Sequence, residues 1–133
     1  MHIEKAANEI LGKPEFKIVA QATEINLVVV SVGELGFKEA STEIQEIFKK
    51  AQELGLKLCP AEVGPQLRLQ YPQQPKEEML LVAMEPIPAT EGRLAIFVVT
   101  RSGDNLWLRS IAGRPTSRCP IDLEFVFIIP GKK

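Results

Sequence analysis

Several things are scarce in this chain, and each scarcity excludes something. It has one histidine, two cysteines, one tryptophan and one tyrosine in 133 residues. A lone histidine at position 2, near a terminus prone to fray, makes a poor base for a serine or cysteine nucleophile. One histidine and two separated cysteines do not make a zinc set. The sequence therefore predicts no metal, no cofactor and no catalytic residue. Glycine-rich phosphate loops are missing too: Gly33 and Gly36 in GELG have neither the spacing nor the basic residue of such a loop. The longest near-apolar runs, around Leu27–Val32 and Leu94–Val99, are far too short to span a bilayer as helices. The opening MHIEKAANEI has no apolar signal-peptide core. The expectation is a cytoplasmic chain, no membrane partner, and reduced thiols at Cys59 and Cys119. A basic excess is also lacking. Sixteen Lys and Arg against seventeen Asp and Glu leave a formal net charge of −1, which disfavours nucleic acid as a partner.

What is present suits one globular domain over residues 1–133. Hydrophobic residues make up 45% and charged residues 25%, enough for a core without disulfides. With few aromatics, that core must be mainly aliphatic.

Periodicity gives the elements. Ile3, Ala6, Ala7, Ile10 and Leu11 predict a short N-terminal helix over 3–11, stopped by Gly12. Phe16, Ile18, Ala20 and Ala22 alternate as in a strand. Residues 25–32, INLVVVSV, predict a strand covered on both faces. The main helix is expected over 42–54. Ile44, Ile47, Phe48, Ala51 and Leu54 form its apolar stripe, Thr42 and Gln45 a capping box, and Gly55 a left-handed cap. Leu67, Leu69 and Tyr71 alternate with Arg68 and Gln70, the period of a strand. Further strands are expected over 78–85, 93–100, 105–111 and 122–129, with a tight hairpin at Ser102-Gly103-Asp104-Asn105 and a loop over 113–120. The fold class is α+β. It comprises a mostly antiparallel sheet of five to six strands, the 42–54 helix packed on one face, and a short N-terminal helix.

Arginine is the one residue type whose placement suggests recognition. On the strand reading, Arg68, Gln70, Trp107 and Arg109 share a sheet face. Glu62, Glu85 and Glu124 are the candidates for counter-charges. Such a face suits a small anionic ligand or a partner protein's carboxylates. The candidate binding residues are thus Arg68, Trp107, Arg109, Glu62 and Glu85.

The segment Gly55–Tyr71, GLKLCPAEVGPQLRLQY, together with AMEPI, GRP and FVF further on, resembles small uncharacterised bacterial proteins that carry L-C-P-x-E-V-G-P-x-L-R-L-x-Y. The resemblance covers roughly the last hundred residues and implies a bacterial, recurring unit. It brings no activity and no site residue with it. The function expected from the residues is a non-enzymatic binding or interaction module, with a homodimer compatible. The alternatives are an enzyme acting on a phosphate- or sugar-containing substrate through Glu and Arg, and a nucleic-acid-associated accessory protein.

Overall fold

A computed structural model describes residues 2–13, 26–89 and 92–130. The alternating segment at 16–22 lies outside them. Among the described residues the chain is α+β, with three α-helices and a seven-stranded, mainly antiparallel mixed sheet.

The elements in order are β1 (His2–Ile3), α1 (Lys5–Leu11), β2 (Asn26–Ser31), β3 (Ser41–Glu43), α2 (Ile44–Glu53), α3 (Val63–Gln70), β4 (Met79–Val82), β5 (Ile87–Pro88), β6 (Leu94–Ser102), β7 (Asn105–Ala112), β8 (Arg118–Pro120) and β9 (Glu124–Ile129). The large sheet runs β1-β7-β6-β4-β9-β2, with β5 beside β6, while β3 and β8 pair separately. Two pairs are parallel, β1 with β7 and β4 with β9. β6 and β7 form the hairpin anticipated at 102–105, turning through Gly103 at φ 56°.

Register fixes which side chains share a face, because directly paired residues point the same way and neighbours along a strand alternate. Leu81 pairs with Val98 and Phe125, and Val98 pairs with Arg109, so these four lie on one face. Phe97 pairs with Ser110 and therefore lies on the other. Helix α2 covers the first face. Its Phe48 meets Phe125 and Phe127 edge-on, with centroids 5.8 and 6.2 Å apart. Helix α3 covers the second, where Gly64 lies directly against the Phe97 ring. Only the 42–54 helix was expected to pack on a sheet face; the structure has α2 on one face and α3 on the other, and α1 also packs against β7.

Of the stripe expected over 42–54, Ile44, Ile47 and Ala51 are buried and Phe48 half-buried, but Leu54, just past the helix, is exposed, and the capping box does not form. Thr42 belongs to β3 opposite Cys119. The first amides of α2 are met instead by the 113–117 loop: Ile44 N donates to Ser117 O at 2.8 Å and Gln45 N to Pro115 O at 3.0 Å. Gly55 has φ 93°, as its place after the helix suggested.

The main correction is at 67–71, where the chain is helical and not extended. Leu69 is exposed, whereas Val63, Gly64 and Arg68 face inward. Pro65 sits in the first turn, where its missing N–H costs no helical bond. Gln, Leu and Arg around it are good helix formers. The alternation of apolar letters had outweighed these signals.

Candidate functional site

The five residues singled out from the sequence do not converge. Arg68, on α3, approaches the sheet from the Phe97 side. Arg109 and Trp107 project from the opposite face. Glu85 is exposed in the turn after β4. Glu62 precedes α3 and its carbonyl accepts from Gln66 N at 3.1 Å. Among the described residues no ion pair joins Glu85 to Arg68. The shared Arg68–Arg109 face is therefore withdrawn. Its premise, that both arginines lie mid-strand, fails at Arg68.

Arg68 is only 1% exposed. Its Nη1 donates to Gln74 Oε1 at 2.5 Å, to Thr100 O at 2.8 Å and to Trp107 O at 3.4 Å; Nη2 donates to Tyr71 O at 2.6 Å. Gln74, wholly buried, donates in turn to Val99 O at 3.0 Å and to Glu78 Oε1 at 3.2 Å. Thus Glu78 reaches the buried cation through an amide. Burial pulls the Arg68 guanidinium below its usual pKa. Burial, then the neighbouring Glu78 carboxylate, push the Tyr71 phenol up. The result is a polar clasp that fastens α3 and the 72–78 loop to β6 and β7. Arg101 extends it, donating to Gln74 O at 2.9 Å and to Gly103 O at 2.9 Å. Gln74 was missed in the sequence because nothing distinguishes it from its neighbour Gln73 except where the loop places it.

Trp107 and Arg109 form a second group with His2. β1 lies parallel to β7 with His2 opposite Trp107, which puts both rings on one face. Their centroids are 4.7 Å apart and the rings stack at 29°. Arg109, two residues along the same strand, holds its guanidinium carbon 4.3 Å from the Trp107 ring centre. His2 Nε2 lies 3.2 Å from Asn105 Oδ1. Trp107 and Arg109 are partly exposed and His2 is exposed. Among the described residues no carboxylate pairs with Arg109 and no hydrogen bond is made by its guanidinium or by the Trp107 indole. His2 was set aside as a base; its role as a ring stacked on Trp107 could not be read without the β1–β7 pairing.

A third feature is a groove of about 390 Å³ at the starts of β4 and β9, lined by Glu77, Glu78, Met79, Pro120, Asp122, Leu123 and Glu124. It is acidic, but among the described residues no group of three or more His, Cys, Asp or Glu is arranged to hold a metal ion. Both cysteines are buried and unpaired, and burial pushes Cys59 up to about 12 and Cys119 to about 11. Neither has the lowered pKa a nucleophilic thiolate needs. No described helix is long and apolar enough to cross a membrane.

Comparison with protein-family models, curated proteins and solved structures finds no match to this chain.

Proposed function

We propose that the protein is a non-enzymatic binding module for a small anionic ligand, and that the His2–Trp107–Arg109 face is its binding surface. One observation carries the reading: a partly exposed arginine is held against the chain's only tryptophan while, among the described residues, its guanidinium makes no hydrogen bond or ion pair. Arg68, Arg101 and Arg118 all donate to the protein itself. Among the described residues Arg109 does not. A guanidinium resting on an aromatic ring is held by attraction to the ring's electron-rich face, worth about 0.5–1 kcal/mol at exposed sites. That contact orients the fork without occupying its N–H groups. Aromatic and arginine side chains together are also the usual anchors of recognition surfaces.

The experiment is a thermal-shift screen of the full chain against a small-molecule panel, repeated with Trp107→Ala. Ligands that bind the native state raise the midpoint by mass action. The reading expects at least one stabilising compound whose effect Trp107→Ala removes. Stabilisation that survives Trp107→Ala places binding elsewhere and overturns it.

A further inference from the structure

We infer that Arg109 is an oxyanion receptor, fixed by Trp107 and taking a phosphate or carboxylate group in its guanidinium fork. This rests on the binding surface proposed above and adds the chemistry of what it takes. The argument is a count of donors and acceptors. Guanidinium offers five N–H donors and no acceptor, and the indole offers one N–H and no acceptor. Among the described residues neither group spends a donor on the protein. Of the local acceptors, Asn105 Oδ1 lies 3.2 Å from His2 Nε2, and Glu4 Oε1 accepts from Ser110 N and Oγ at 3.1 Å. A surface whose guanidinium and indole donors are unspent among the described residues, while Asn105 Oδ1 and Glu4 Oε1 already have partners, complements a ligand that presents acceptors. Phosphate and carboxylate are such groups, and the guanidinium fork matches both in bidentate geometry.

Position strengthens the count. Arg93 and Arg114 are also without a hydrogen bond or ion pair among the described residues, but both are exposed. Arg109 is partly shielded and rests on a ring. Its side chain has surrendered part of its freedom before any ligand arrives, so less ordering remains to oppose binding. The neighbours on the same face, Val98 and Ile111, are apolar. Among the described residues no carboxylate forms an ion pair with the fork, and the Glu4 carboxylate at the adjacent Ser110 accepts from that residue's N and Oγ.

Trp107 is the chain's single tryptophan, so its fluorescence reports this site alone. The full-length protein is titrated with inorganic phosphate and, separately, with acetate, against sodium chloride at matched ionic strength. A saturable change with either anion, absent with chloride, is expected; which anion gives it separates a phosphate-bearing ligand from a carboxylate. Arg109→Gln should weaken that response about tenfold or more. Arg109→Lys, which keeps the charge and loses the fork, should weaken it similarly, because charge-assisted bidentate bonds depend on the planar geometry. Circular-dichroism melts confirm that both variants are folded. The inference fails if phosphate and acetate behave like chloride, or if Arg109→Gln or Arg109→Lys responds as the wild type does. The two readings fail separately. A neutral compound whose binding Trp107→Ala abolishes and Arg109→Gln leaves intact would sink the oxyanion receptor and the anionic class of the ligand, and leave only the His2–Trp107–Arg109 binding surface standing.

Discussion

Removing the Arg68 side chain should cost this protein much of its stability. Arg68→Ala deletes a buried guanidinium whose bonds join α3, the 72–78 loop and the β6–β7 pair. Three terms decide the size. The wholly buried Gln74 loses its donor at 2.5 Å, which strands an acceptor at about 1–3 kcal/mol. The two methylenes beyond Cβ leave the core, at about 0.8 kcal/mol each. Against these, the variant no longer has to keep a charge out of water, which returns part of the loss. The net is about 2–4 kcal/mol. For a chain of this size that is a fall of roughly 6–16 °C in Tm, at about 3–4 °C per kcal/mol. Arg68→Met separates the terms, because it fills most of the space and makes none of the bonds. It should recover the packing share and still lose about 1–3 kcal/mol from the stranded Gln74. Denaturant melts followed by circular dichroism measure both. A change below about 0.5 kcal/mol for Arg68→Ala, the range of an ordinary surface substitution, would refute the clasp.

Three further outcomes follow from the packing and the buried thiols. Ile47→Ala, at a wholly buried position on α2, should cost about 2–5 kcal/mol in the same melts, and more than Phe48→Ala, since Phe48 keeps some exposure; the reverse order would place the helix wrongly on the sheet. Gly64→Ala should destabilise by about 1–3 kcal/mol despite alanine's better helix propensity, because its Cβ would stand 2.6 Å from the Phe97 ring; a stabilised variant would show that α3 sits further from β6. Stability should fall as pH rises above 9, the ordinary thiol value from which burial raises Cys59 to about 12 and Cys119 to about 11. In that window the unfolded chain releases protons that the folded chain retains, so the thiols' contribution is complete below 9 and is lost as pH climbs through the folded values. Cys59→Ala should flatten this alkaline decline in urea melts across pH; an unaltered slope would show that the thiol is not its source.

Much of the architecture was legible in the sequence where one periodicity acted alone. The α2 stripe, the 102–105 hairpin and the late strands have unambiguous patterns, and tertiary packing agrees with them. Legibility failed where two periods overlapped. Across Val63–Tyr71, Leu67, Leu69 and Tyr71 satisfy a period of two, while Val63, Gly64, Leu67, Arg68 and Tyr71 satisfy a helical face. The close approach of Gly64 to Phe97, which favours the second, is a long-range contact invisible locally. The same error carried Arg68 into the candidate surface. A charged residue is expected at a face open to a ligand, an acid or water, whereas backbone carbonyls distant in sequence, Thr100 O and Trp107 O, let it be buried. Trp107 and Arg109 were placed together correctly because residues two apart on a strand share a face. His2 joined them only through a parallel pairing of two residues, too short to leave a pattern.

The central claim is that Arg109 and Trp107 receive a ligand while Arg68 holds the fold together. A ¹H–¹⁵N spectrum that records the Trp107 indole and the arginine Nε–H signals, followed as phosphate or a stabilising compound is added, tests it most directly. The account predicts that the Trp107 indole and Arg109 signals move progressively while the Arg68 signal stays in place. Movement at Arg68, or along the Glu77–Glu78 and Asp122–Glu124 groove, with Trp107 and Arg109 unmoved, would contradict it.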